Sequence, residues 1–189
     1  MMKLKISLLF LLAICFINAQ VSHKVKALAK PLENISYAES LHVGIGGEKS
    51  IIYGYFKKLS DAASTDDLYY FAKNGSNALR LYSGIELLKR NDERFLSVYQ
   101  YYLYHPLMVK YQDGCVGKVD NIASHLKREL YSAKEIIAVR DSLLKEKRSD
   151  LIKSQLKSIN DAGYKKLSRK SVMSYIREIE KTEAEKPFL

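Results

Sequence analysis

Apolar residues along most of this chain recur every three to four positions, which is the spacing of an amphipathic α-helix. Strict alternation of apolar and polar residues, the pattern of a half-buried strand, is rare. Signals such as Ser64 before an acidic pair, and His105 before Pro106, mark where helices begin and end. The pattern predicts helices near 50–60, 66–73, 77–90, 93–104, 118–131, 133–148, 150–160 and 168–182.

Short connections between these segments predict antiparallel helix hairpins, and hence an all-α fold. Residues 105–117 form the longer, irregular connection in this prediction, and residues 20–43 are predicted to be a loose N-terminal lead-in. The helical domain is expected to span 44–182, with a more basic C-terminal part at 126–182. Residues 183–189 are expected to be a tail.

A glycine-rich stretch from Gly44 to Gly47 precedes the first helix of this domain. A phosphate-binding loop needs its last glycine directly before the lysine, so that backbone N–H groups and the lysine surround the phosphates. Here Glu48 separates Gly47 from Lys49, and a carboxylate stands where the anion would bind. The stretch is therefore interpreted as a tight turn, with Ser50 as the N-cap of the helix that follows.

The spacing within residues 65–92 predicts a short helix, a turn and a second helix, which contains Leu79-Arg80-Leu81-Tyr82-Ser83-Gly84. This pair resembles a HEAT-type repeat, although Glu86 stands where that pattern prefers alanine. The chain also resembles a group of exported bacterial HEAT-like proteins of unassigned function. The residues that carry this resemblance are Gly44, Gly47, Glu48, Ser50, Tyr53, Arg80, Tyr82, Gly114 and Cys115.

This resemblance covers roughly 43–125 and implies a short α-solenoid, that is, an α-α superhelix of stacked helix pairs. It implies no known chemistry. It further implies that Arg80 hydrogen-bonds to neighbouring backbone or carboxylate groups, with Asp66 and Asp67 as candidate partners. Ser83 and Gly84 would be the small residues that let the two helices approach closely.

The segment 105–125 contains the residues that could support an enzyme, since His105, Asp113, Cys115 and His125 all lie within it. A cysteine paired with a histidine and an orienting aspartate is a known nucleophilic arrangement. The simpler interpretation makes Asp113 part of a turn and Cys115 a small buried apolar residue. No histidine or cysteine set has metal-ligand spacing. We therefore expect no catalytic, cofactor-binding or metal-binding residues, and rank a small enzyme below the binding functions described next.

Residues 1–19 have the features of a cleaved secretory signal peptide. Lys3 and Lys5 precede the apolar run ISLLFLLAICFI, which is followed by a small residue before Gln20. The bulky Ile14 argues against lipid attachment at Cys15. The protein is therefore expected to be exported, either to the periplasm or outside the cell, with no transmembrane segment in the mature chain.

The chain carries a formal charge of +10, and residues 126–182 contain 15 lysines and arginines against 8 aspartates and glutamates. The basic candidates for binding are Lys145, Lys147, Arg148, Lys153, Lys157, Lys165, Lys166, Arg169 and Lys170. Such a stripe can meet anionic lipid, an acidic protein or nucleic acid. It can also be a solvated helix face with local ion pairs, for example through Glu146 and Asp150.

These features favour an exported helical-repeat scaffold that binds another macromolecule, without catalysis and without a cofactor. Its binding surface would be the concave groove of the stacked helices or the basic C-terminal face. The alternative is an envelope-associated protein that binds anionic surfaces through its basic C-terminal helices. Nucleic acid is not expected as the natural partner of a chain that is exported.

Overall fold

The computed structural model describes residues 21–146 and 149–185, and the predicted signal peptide lies outside them. Within these ranges the helices are α1 (His23–Ala29), α2 (Ile51–Ala62), α3 (Thr65–Asn74), α4 (Asn77–Lys89), α5 (Arg94–Tyr104), α6 (Ile122–Leu143), α7 (Asp150–Ile159) and α8 (Arg169–Ala184). The strands are β1 (Tyr37–Val43), β2 (Glu48–Lys49), β3 (Met108–Gly114) and β4 (Val116–Asn121). A short 3-10 helix, Lys30–Leu32, follows α1.

The fold is mixed α/β, so the prediction of an all-α fold is wrong. The strands form one sheet in the order β2-β1-β3-β4, in which β1 is parallel to β3 and the other neighbours are antiparallel. Helix α1 and strand β1 occupy the segment predicted to be a loose lead-in. The β3–β4 hairpin occupies most of the segment predicted to be an irregular connection.

The α-solenoid prediction is also wrong, because the helices do not stack only on their neighbours in sequence. In a solenoid each repeat contacts the adjacent repeats alone. Here α5 and α6 both pack against α8, and β1 pairs with β3 across a long sequence interval. Helix α6 also runs unbroken through the residues predicted to form two separate helices.

Helix α4 lies at the centre of the molecule and contacts α3, α5, α6 and the sheet. Tyr82 links it to the sheet, since the hydroxyl accepts from the backbone N–H of Glu39 at 2.6 Å and donates to the Glu39 carbonyl at 2.8 Å. A Cβ placed on Gly84 would lie 3.0 Å from Cδ2 of Leu126 on α6. The small residue therefore allows the close approach of α4 and α6.

The start of α2 follows the interpretation of the glycine-rich stretch. The Ser50 hydroxyl accepts from the backbone N–H of Tyr53 at 2.9 Å, which makes Ser50 the N-cap. Gly44 and Gly47 have φ values of +73° and +67°, a region that glycine adopts without steric cost. These glycines form the tight turn between β1 and β2, which leads directly into the helix.

Two side chains of α6, Arg140 and Glu129, hold the connection between α7 and α8. A wider helical turn, Asn160–Tyr164, follows α7, and within it Gly163 has a φ of +98°. Arg140 of α6 donates to the carbonyls of Tyr164 and Leu167, both at 2.8 Å.

None of the helices among the described residues combines the length and the apolar character that crossing a bilayer requires.

Candidate functional site

The basic residues singled out from the sequence lie on the surface wherever the structure describes them. Lys147 and Arg148 lie outside the described residues. Among the others, ion pairs join Lys153 to Asp150 at 2.9 Å and Lys157 to Asp161 at 2.6 Å. Such exposed pairs contribute little to stability. The exposed residues of the set are Lys145, Lys153, Lys157, Lys165, Lys166, Arg169 and Lys170.

Four of these lysines surround an exposed leucine at the end of α6. Two depressions of about 540 and 410 Å³ adjoin there, and both are lined by Leu144, Leu156 and Lys165. Leu144 is 62% exposed. We call the group formed by Leu144 with Lys153, Lys157, Lys165 and Lys166 the Leu144 patch.

Helix α7 is amphipathic but buries little of its apolar side. Ile152 is its one buried residue among those described, while Leu151 is 68% exposed. Lys145 follows Leu144 directly in the chain, and Arg169 and Lys170 begin α8 without lining either depression. Exposed apolar side chains close to lysines are typical of a surface that binds something both apolar and negatively charged.

Arg80 bonds to the backbone rather than to either of its candidate carboxylate partners. Its Nε donates to the Gly75 carbonyl at 2.6 Å, where α3 ends. Asp66 instead accepts from Arg94 at 2.5 Å, and Asp67 accepts from the backbone N–H of Ser64 at the start of α3. Arg80 therefore holds the turn between α3 and α4 and has a structural role.

Cys115 is exposed, which contradicts the prediction of a buried thiol. It lies between β3 and β4, next to Gly114, whose φ of +54° forms the tight turn of the hairpin. His105 is also exposed and stacks on Tyr101. Cys115 occupies the outermost position of a hairpin rather than a packed loop, so its side chain has no core to enter.

His125 is buried, and both of its ring nitrogens have partners. Nδ1 lies 2.8 Å from Arg128 Nη2, and Nε2 lies 3.4 Å from the Val109 carbonyl. His125 and Asp113 line a cavity of about 290 Å³ between the β3–β4 hairpin and α6, whereas Cys115 does not line it. The structure thus brings Asp113 and His125 to one cavity but leaves Cys115 outside it.

A second cavity, which we call the Glu129 cleft, has a volume of about 650 Å³. It lies between β1, α2, α6 and the segment containing α7 and the turn after it, and its walls include Tyr53, Tyr111 and Tyr164. The Tyr164 hydroxyl donates to Glu129 Oε1 at 2.5 Å, and Lys89 Nζ lies 3.4 Å from the same oxygen. Burial and the nearby Glu129 carboxylate raise the pKa of the Tyr164 hydroxyl far above its ordinary value.

Sequence reasoning missed this cleft because its residues come from separate parts of the chain. Tyr53, Lys89, Tyr111, Glu129 and Tyr164 belong to α2, α4, β3, α6 and the turn after α7, respectively. No local spacing connects them. The available signal was the richness of the chain in tyrosine, with 14 residues, which indicates amphipathic surfaces without locating them.

The described residues contain no group of three or more histidine, cysteine, aspartate or glutamate side chains that could hold a metal ion.

No family model, no curated protein and no solved structure matches this chain. A relationship to HEAT-like proteins therefore stays a prediction that rests on the quoted motifs.

Proposed function

We propose that this protein is an exported binding protein, without catalysis, that docks on an anionic lipid surface of the envelope through the Leu144 patch. The observation that carries the proposal is an exposed leucine that lines two adjoining depressions together with four exposed lysines and one aspartate, Asp161. A lipid surface can bind both the lysines and the leucine, since its headgroups carry negative charge and its acyl chains accept an apolar side chain.

The energies of these contacts suit reversible binding. Each lysine near an anionic bilayer contributes about 1 kcal/mol, and full burial of a leucine side chain contributes roughly 2 kcal/mol. Lys165 and Lys166 form no ion pair with any described acidic residue, so no protein contact has to break before they meet a headgroup. Added salt screens such contacts, and binding should therefore weaken as ionic strength rises.

Other partners fit the patch less well. The expected concave groove for a macromolecule depended on the solenoid, which the fold does not contain. Single-stranded nucleic acid is usually held by aromatic rings that stack on bases, and no aromatic residue lines either depression. The 105–125 segment supports an enzyme poorly, because Cys115 lies outside the cavity that Asp113 and His125 share.

Co-sedimentation of the chain without residues 1–19 tests the proposal, using vesicles of phosphatidylcholine with and without phosphatidylglycerol. We expect binding only to the anionic vesicles, lost between about 0.05 and 0.5 M salt. Replacing the four lysines of the Leu144 patch by glutamine should weaken binding at least about tenfold. The matched control removes the same charge from four other exposed residues, Lys24, Lys26, Lys30 and Lys58.

Equal weakening in the control would show that only net charge matters and would overturn a specific role for the patch. Equal binding to neutral vesicles would remove the electrostatic part of the proposal. Salt-sensitive capture of an acidic protein, without vesicle binding, would mean that the partner is a protein and that the lipid proposal is wrong.

A further inference from the structure

We infer that the Glu129 cleft is a binding site for a neutral, polyhydroxylated ligand, that is, a sugar or a short oligosaccharide. The cleft has a volume of about 650 Å³, within the range of small-molecule sites. It shares Lys157 with the Leu144 patch and is otherwise formed by different residues. The inference therefore does not depend on lipid binding.

The charges around the cleft are balanced, and this favours a neutral ligand. Three lysines line it, and each one is paired with an acid. Lys89 pairs with Glu129, Lys157 pairs with Asp161, and Lys57 pairs with Asp61. An anionic or cationic ligand would have to break or compete with these pairs, whereas a neutral ligand leaves them in place.

Several polar groups in the cleft are left to bind a ligand. Among the described residues, the hydroxyls of Tyr53 and Tyr111 make no hydrogen bond, and both side chains line the cleft. The described contacts of Glu129 both go to Oε1, which leaves Oε2 as an acceptor. A carboxylate only accepts and a phenol both donates and accepts, so the set matches hydroxyl groups, which also do both.

Aromatic rings supply the second half of sugar recognition. Tyr53, Tyr111 and Tyr164 all line the cleft. The face of a tyrosine ring is apolar while its hydroxyl is polar, and the C–H face of a sugar ring can pack on it. A tyrosine hydroxyl is already protonated at physiological pH, and burial raises the pKa of Tyr111 further, so this group is a proton donor.

The Glu129 carboxylate, which lines both this cleft and the smaller cavity beside α6, is held in place before any ligand arrives. The Tyr164 hydroxyl and Lys89 both hold Oε1 of Glu129. Lys89 Nζ also lies 4.9 Å from the centroid of the Tyr164 ring, which adds a cation–π contact. A group that is already ordered loses little conformational entropy on binding, and this favours measurable affinity for a small ligand.

Titration of the isotope-labelled chain without residues 1–19 tests this inference by NMR. The probes are neutral oligosaccharides of two to four glucose or N-acetylglucosamine units, with choline and citrate as charged comparators. We expect one or more oligosaccharides to shift the resonances of residues that line the cleft, with Kd between about 10 μM and 10 mM. The paired substitution Tyr53→Phe with Tyr111→Phe keeps both rings and should weaken binding at least about fivefold.

The matched control is Tyr55→Phe with Tyr70→Phe, at two exposed tyrosines that do not line the cleft. It should bind as the unaltered protein does. Thermal unfolding of both pairs shows whether the fold is intact. The inference is overturned if no oligosaccharide shifts these resonances at about 10 mM, if only choline or citrate does, or if the Tyr53 and Tyr111 pair binds unchanged while folded.

Discussion

Arg128 donates from Nη2 to Nδ1 of His125 at 2.8 Å, which requires Nδ1 to be unprotonated. The ring proton of neutral His125 is then on Nε2, which faces the Val109 carbonyl at 3.4 Å. Arg128 also donates to Asp120 at 2.9 Å through Nη1. Burial, and then an arginine that Asp120 of β4 holds in position, thus keep this imidazole neutral.

This arrangement predicts that the protein loses stability in mild acid. Burial first, and then the positive charge of Arg128, hold the pKa of His125 below its usual value, although Asp120 and the Val109 carbonyl oppose this. The unfolded chain therefore binds a proton first as the pH falls. The stabilising contribution is complete above the unfolded pKa of about 6.5 and is lost as the pH falls toward the folded pKa.

Urea unfolding at several pH values between about 5 and 8 measures this effect. In the His125→Gln variant, the free energy of unfolding should be lower at neutral pH and should change less between these limits. The exposed His105 gives the control, since His105→Gln should leave the pH dependence intact. An unchanged slope in His125→Gln would contradict the assignment of a neutral, buried imidazole.

Two serines should respond in opposite directions to removal of their hydroxyls. Among the described residues, the Ser83 hydroxyl is the buried side-chain group with no hydrogen-bond partner. Ser83→Ala should leave stability unchanged or raise it by up to about 1 kcal/mol. Ser50 caps α2 and donates to Glu39 at 2.6 Å, so Ser50→Ala should cost about 1 kcal/mol or more.

Thermal or urea unfolding of the two variants side by side measures the difference. The idea fails if Ser83→Ala is destabilised as much as Ser50→Ala. That outcome would mean that the Ser83 hydroxyl makes a hydrogen bond that matters to the fold.

Arg90 should matter more to stability than its place at the end of a helix suggests. Its guanidinium donates to the carbonyls of Ala63 at 2.8 Å and Ser60 at 2.6 Å, and to Glu86 at 2.9 Å. Arg90→Lys keeps the charge, but a lysine cannot reach all three acceptors. The substitution should lower the free energy of unfolding by about 2 kcal/mol. The control is Arg177→Lys on the exposed side of α8, and equal urea midpoints for the two variants would refute this role.

Cys115 should react rapidly with a thiol reagent in the folded protein. Its side chain is exposed, and it is the single cysteine in the chain without residues 1–19. We expect the labelling rate in native buffer to lie within about tenfold of the rate in denaturant. A thiol that reacts only after unfolding would instead agree with the burial predicted from the sequence.

Most helices could be predicted because their apolar spacing and caps are local, although the pattern misses α1 and predicts α6 as two helices. Ser50 and Ser64 cap helices where the pattern places them, and the apolar stripe of α4 packs in the core. The strands could not be predicted, because they bury few side chains. Ala38 is the one buried residue of β1, and Val109 is the one buried residue of β3, so neither strand shows apolar alternation.

The pairing of β1 with β3 also depends on tertiary contacts that no local pattern records. Tyr82 bonds to the backbone of Glu39 from the centre of α4 and helps to hold the strand against the helices. The Glu129 cleft is hidden from sequence for the same reason. By contrast, the lysines of the Leu144 patch could be predicted as a charge cluster, although the exposed leucine among them could not.

The most direct test of the proposed function places an environment-sensitive fluorophore at residue 144, through Leu144→Cys in a Cys115→Ser background. On anionic vesicles we expect a blue shift and a rise in emission, reversed by about 0.5 M salt. The same fluorophore on native Cys115 serves as the control and should not respond. No change at residue 144, or an equal change at both positions, would contradict docking through the Leu144 patch.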